Sequence, residues 1–368
     1  KREMANLKEY CEIRSLIQGT TLSPEGKEFI DWQDWATQQA WGQNHRLSVS
    51  GKTDKTNYYL SGGFNTNEGI IKQTGNNQAD FRFNLDQSIS KMLKIGTKTA
   101  FTYRKLNMTQ GSDSRAATSS GLIRQMTTYQ PYIPGVGETD DTDSDDSYGP
   151  MPWLTDYVDA TDEYRMLSSV YANVILTKRL SMRTTLGADY RSRTRNRFYG
   201  MGTWFGRQES GYASLSSQES LRLNFDHVFN YMYRKRKNRL DATAGITITE
   251  SSVKSNLIYG KQYTTLAFKE KGLMYSNNPV TPYYIEGKTD LFSVLARAVY
   301  SYDNRYVLTS TFRADGTSKF APGNKFSYFP SFAFAYRLDQ EKFMRDQEVI
   351  SNAKIRLGWG LVGNQAIS

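Results

Sequence analysis

A single cysteine, Cys11, stands in 368 residues, which excludes an intramolecular disulfide and any cysteine-built metal cluster. Histidine is nearly as scarce, with only His45 and His227, and neither falls in a recognisable catalytic pattern. The G-x-S-x-G, H-E-x-x-H and phosphate-loop signatures are missing. The sequence therefore assigns no catalytic residue, metal or cofactor, and an enzyme is not the expected class. No run approaches the ~20 apolar residues that a membrane helix requires, and the mean hydropathy is -0.64. A helical membrane protein is excluded. A membrane barrel is not, because its strands are half polar. The chain starts at Lys1 with no initiator Met, signal peptide or transit segment, so it reads as a processed chain or a piece of a longer one.

The residues that are abundant favour β structure: 25 Tyr, 18 Phe and 28 Gly against 9 Pro, with much Ser and Thr. The net charge of +10 would permit nucleic-acid binding, but the basic residues are dispersed. Their one dense run, Arg234-Lys235-Arg236-Lys237 with Arg239, has the setting of a tight, solvated turn, so no nucleic-acid partner is expected. The acidic run Asp140-Asp141-Thr142-Asp143-Ser144-Asp145-Asp146 fails as a calcium loop. Counting from Asp141, Asp146 stands where an EF-hand needs Gly and Pro152 where it needs Glu. A solvated loop tip is the simpler reading.

One pattern occurs twice, as Phe81-Arg82-Phe83-Asn84-Leu85-Asp86 and Leu221-Arg222-Leu223-Asn224-Phe225-Asp226. Alternate side chains of a strand point to opposite faces, so each copy has one apolar and one charged face. Residues 1–42 differ from the rest. Met4, Leu7, Cys11, Ile13, Leu16 and Ile17 predict a short amphipathic helix stopped near Gly19, and Asp31–Trp35 a second. A further short helix is predicted within 114–130. From Gln43 onward alternation runs through about twelve strands, with charges held almost wholly to one row. His227 continues an apolar row, near its end.

A soluble sandwich would also segregate charge this way, so the connections have to decide. Short links are expected at 52–56, 88–91, 177–179, 233–239 and 302–304. Long ones are expected at 65–77, 105–163, 196–214, 257–289 and 316–325. Short and long alternate in strict order, as in outer-membrane barrels with short periplasmic turns and long extracellular loops. Greek-key sandwiches have no reason to do so. The link at 339–351 is longer than a tight turn. The fold expected is all-β, an antiparallel transmembrane β-barrel fragment.

Several motifs resemble the SusC/RagA type of TonB-dependent transporter. They are Asn57-Tyr58-Tyr59-Leu60-Ser61-Gly62-Gly63-Phe64 with Asn67-Glu68-Gly69-Ile70-Ile71, and the stretch Arg305–Phe320 containing Arg313-Ala314-Asp315-Gly316-Thr317-Ser318. Tyr328-Phe329-Pro330-Ser331-Phe332 and Leu361-Val362-Gly363-Asn364-Gln365 add to the likeness, as do Trp32-Gln33-Asp34 and Gln43-Asn44-His45. The resemblance implies about 12 strands of a 22-stranded, plugged barrel of the transporter kind, roughly strands two to thirteen. Residues 1–42 would be an extracellular loop region, and 43–368 a barrel segment without plug or C-terminal strands. It further implies a Gram-negative, Bacteroidetes-like outer-membrane location and import of glycans or peptides. The implied partners are a SusD-like surface lipoprotein, outer-membrane lipid and the TonB complex, the last reached through a missing N-terminal region. The competing expectation is a soluble or surface β-sandwich that binds glycans as an adhesion module.

Aromatic residues in the long loops are the candidate substrate contacts: Tyr148, Trp153 and Tyr157, then Trp204, Phe205 and Tyr212. Set among polar residues, such rings can stack on sugar faces or peptide side chains. They could equally pack on one another or join an interfacial belt. The row Arg82, Asp86, Arg222, Asp226, Asp241 and Arg297 would face a hydrated lumen.

Overall fold

The computed structural model describes residues 3–19, 21–109, 121–133, 149–345 and 350–363. Twelve strands form one sheet in strict sequence order, each antiparallel to the next. They are β1 (Gly42–Lys52), β2 (Thr56–Glu68), β3 (Gly75–Ser88), β4 (Leu93–Asn107), β5 (Tyr157–Ile175) and β6 (Leu180–Tyr199), then β7 (Tyr212–Lys235), β8 (Asn238–Tyr263), β9 (Ser276–Tyr302), β10 (Tyr306–Thr317), β11 (Phe326–Arg337) and β12 (Lys354–Gly360). β1 and β12 each have one neighbour, so the sheet is open among the described residues. Among the described residues there is no second sheet to cover a greasy face, and the sandwich expectation does not hold.

Register joins the separate sequence rows into two continuous faces. Leu60 lies opposite Phe83, Phe81 opposite Phe101, and Phe101 opposite Met166. Val170, Leu186, Phe225, Ile248 and Phe292 then follow one another across five strands. Both copies of the repeat, on β3 and β7, give Phe81, Phe83, Leu85, Leu221, Leu223 and Phe225 to this face and their Arg, Asn and Asp to the other. On that other face the polar groups satisfy one another. Asp86 accepts from Tyr171 and from Lys94 at 3.3 Å, and Asp226 accepts from Thr247 at 2.7 Å.

His227 corrects the expectation that it falls near the end of its row. It lies between Phe225 and Phe229, midway along the apolar stretch Leu221–Tyr233. Its ring is tolerated there because Thr184 on β6 hydrogen-bonds Nδ1 at 2.8 Å, leaving one ring nitrogen to satisfy. Phe225 stacks on it, and Phe229 meets it edge-on at 4.8 Å.

The links alternate in length as expected except for 338–353, which joins β11 to β12 at the tight-turn end, and the strands run further than the apolar rows suggested. At one end the turns are 53–55, 89–92, 176–179, 236–237 and 303–305. At the other the links are 69–74, 108–156, 200–211, 264–275 and 318–325. The expected long link 65–77 is thus a six-residue turn between longer strands. β7, β8 and β9 reach 24, 26 and 27 residues, against the 9–11 that cross a bilayer. The basic run at 234–237 closes the β7–β8 hairpin, with Arg236 at φ 51°. Arg234 and Arg239 share Asp241, and Lys237 meets Asp303.

Candidate functional site

Four short helices pack on the charged face at the long-loop end. α1 (Leu7–Gln18) starts in an Asn6/Glu9 capping box and ends at Gly19, φ 68°, and its Tyr10 ring meets Tyr132 edge-on at 6.2 Å. α2 (Trp32–Ala36) begins at Asp31, whose carboxylate accepts from the amides of Gln33 and Asp34. α3 (Leu122–Thr128) belongs to the longest link, as does α4 (Pro152–Thr155), which has proline in its first turn where a missing N–H costs nothing. α5 (Trp204–Gln208) starts at Thr203, whose hydroxyl takes the Gly206 amide at 3.1 Å. A methyl at Gly206 would lie 2.1 Å from the Gly200 carbonyl, so only glycine lets this turn close.

These helices bury one aromatic core against the strand ends. It contains Trp32, Leu122, Met126, Tyr129, Trp153, Tyr157 and Tyr199, with Phe205 and Tyr212 against it. Tyr199 is the hub: its ring lies 5.0 Å from Tyr157, 5.1 Å from Phe205, 5.8 Å from Tyr212 and 6.4 Å from Trp153, all edge-on. Each such contact is worth about 0.5–1.5 kcal/mol beyond area burial. Indole groups tie distant links together, Trp32 to the Gln130 carbonyl at 2.7 Å and Trp153 to the Gln125 amide oxygen at 2.8 Å. Burial pushes the Tyr157 hydroxyl upward, and that of Tyr263 to about 12, so both stay neutral at physiological pH.

The structure thus brings four of the six candidate aromatics together. Trp153 and Tyr157 are 4% and 6% exposed and spend their faces on each other. Phe205 and Tyr212 are half-buried at the rim, as is Trp204 beside them. Tyr148 and the acidic run 140–146 lie outside the described residues.

Next to Tyr212 the charged face opens into a groove of about 540 Å³, walled by Arg193, Arg195, Arg197, Ser214, Ser216 and Tyr283. Arginines at every second position from Arg191 to Arg197 put four guanidinium groups on one face of β6. This spacing was legible in the sequence, and it is the signal that a search for aromatics passes over. Arg195 grips the buried Asp159 through two bonds of 2.7 and 2.5 Å, and the Tyr157 hydroxyl donates to the same carboxylate at 3.2 Å. Donating to the Asp159 carboxylate holds Arg195 above its ordinary pKa. Asp159 therefore couples the aromatic core to the arginine row. Asp159→Ala should cost about 3–5 kcal/mol, because it strands a half-buried guanidinium; thermal unfolding of the full-length protein would read it.

Among the described residues no group of three His, Cys, Asp or Glu side chains could hold a metal ion, and no helix is long and apolar enough to cross a membrane. The arrangement offers shape, hydrogen bonds and positive charge.

No family model matches the sequence. Solved structures show the class. The RagAB peptide importer in its open-open state superimposes with a TM-score of 0.78 at 18% identity, covering 93% of this chain and 38% of that one. The ferric citrate transporter FecA follows at 0.52 and 12% identity, covering 82% and 40%. The fold is that of a TonB-dependent outer-membrane barrel, present here as an unclosed part of the wall. Sequence similarity narrows this. TonB-dependent receptor P3 of Formosa agariphila is 25% identical over 353 residues, 94% of this chain and 35% of its own length. TonB-dependent receptor SusC of Bacteroides thetaiotaomicron is 23% identical over 392 residues, 98% and 37%. The chain is similar to a segment of these receptors and spans about a third of the length of these curated relatives.

Proposed function

We propose that the chain is the barrel-wall segment of an outer-membrane transporter that imports oligosaccharides or peptides with energy from TonB. The observation that carries this reading is the pairing of a continuous, largely apolar face with mostly tight turns at one end and built-up links at the other. Lipid accounts for the apolar face, since a charge there costs ~2–4 kcal/mol at the midplane. On this reading 43–368 is barrel and 1–42 extracellular loop region. A SusD-like surface lipoprotein rests on the long-link end, TonB engages parts of the receptor outside this segment, and the cell is Bacteroidetes-like. The segment carries no covalent chemistry. Trp204 and Tyr212 contact substrate, while Trp153, Tyr157 and Phe205 hold the wall behind them; Tyr148 is proposed as a further contact.

Uptake of a labelled oligosaccharide and peptide panel by source cells tests this. Cells with the full-length receptor should accumulate at least one panel member, and deletion of the receptor or of TonB should abolish that uptake. A lipoprotein should co-purify with the receptor. Uptake that persists without TonB would leave a passive pore instead.

A further inference from the structure

We infer that the groove beside Arg193 binds an oxyanion carried by the imported molecule, a carboxylate or a sulfate ester; this rests on the transport reading above. Register sets Asp159 opposite Arg197, Thr161 opposite Arg195, Glu163 opposite Arg193 and Arg165 opposite Arg191. The ion pairs do not follow it. Asp159 pairs with Arg195, Glu163 with Arg191, and Arg165 with Asp189. Every pair is diagonal, each β5 residue reaching two positions back along β6, which strand twist and long side chains favour.

By that rule the partner of Arg193 is residue 161, and there the ladder has Thr where its neighbours have Asp159 and Glu163. Thr161 is 3% exposed, and its hydroxyl oxygen is buried with no hydrogen-bond partner. Arg193 is half-buried and has no hydrogen bond or ion pair among the described residues. One rung is thus a guanidinium without its acid, set in a groove with the hydroxyls of Ser214 and Ser216 on its wall. A planar fork of donors with neighbouring hydroxyls matches a carboxylate or sulfate from a ligand. The flanking arginines are already neutralised by Asp159 and Glu163, so the unpaired charge belongs to this one position.

Binding to the full-length receptor, purified in detergent, would be measured with three matched probe pairs. These are a galacturonate tetramer and its methyl ester, a sulfated dextran oligomer and plain dextran, and an acidic hexapeptide and its amidated counterpart. At least one anionic member should bind in preference to its neutral partner, and which pair discriminates identifies the source of the oxyanion. Arg193→Gln should weaken that member by about 10–100-fold, the worth of one charge-assisted hydrogen-bonded contact, at unchanged melting temperature. Thr161→Asp should weaken it as much by completing the rung, at equal or higher melting temperature. Discrimination that survives both substitutions, or is absent from all three pairs, would overturn the inference. So would a drop in melting temperature for Arg193→Gln, which would mean that the whole receptor supplies the missing acid. Because binding is read without TonB, an Arg193-dependent preference together with TonB-independent uptake would sink the transport reading and leave the groove standing.

Discussion

Leu186→Arg in the full-length protein should leave it outside the membrane, bound to periplasmic chaperones or degraded. Leu186 is 58% exposed on the apolar face, opposite Val170 on β5 and Phe225 on β7. Two or more apolar residues stand above and below it on β6, so an arginine there has far to reach before it meets water. The cost is ~2–4 kcal/mol for the charge at the midplane, on top of the lost contact with lipid. Arg297→Gln, on the opposite face of β9, should be mild by the same assay, because water already meets that side chain. Outer-membrane fractionation with heat-modifiable migration on gels would read both. Equal tolerance of the two would mean that the apolar face does not meet lipid.

The second large effect is expected above the membrane. Tyr199→Ala should release the loop core while sparing the barrel. Tyr199 is 4% exposed and touches four other rings. Truncating a buried aromatic residue costs about 3–5 kcal/mol, and here the loss falls on links with few other anchors. Limited proteolysis of intact cells should then cut within 200–211 or 149–156, where the native receptor resists, while the membrane-embedded core migrates as before. Unchanged protection would show that the aromatic rings are not what holds these links down.

The fold was legible because lipid imposes a rule on every strand within the bilayer: apolar at one parity, anything at the other. Phe81, Phe83 and Leu85 obey it, as do Ala242, Ala244 and Ile246, and the eye needs nothing else. Above the bilayer the rule lapses. Ser276-Asn277-Asn278-Pro279 is strand in β9 but has no apolar parity, so it reads as part of the link 257–289, and every long link was drawn too long. His227 deceived for the opposite reason. Its neighbour Thr184 belongs to another strand, and only register shows the hydrogen bond that admits it. The loop core was illegible because Trp32, Leu122, Trp153 and Tyr199 come from four places with no shared period. Tyr199 itself fell inside the expected long link 196–214. The candidate aromatics were found as rings among polar residues, a signal that cannot tell a ring turned to ligand from one turned to its neighbours.

The long strands change where encounters with the outside world happen. A tilt of about 40° and a rise of about 3.3 Å per residue make β8, with 26 residues, roughly 65 Å tall, against an apolar band of about 25 Å. Most of the surplus lies on the long-link side, as stiff hydrogen-bonded wall. The arginine groove and the aromatic core are fastened to that parapet. On the transport reading, a molecule arriving there would be sorted by rigid wall well above the lipid headgroups, before any part of it reaches the depth of the bilayer.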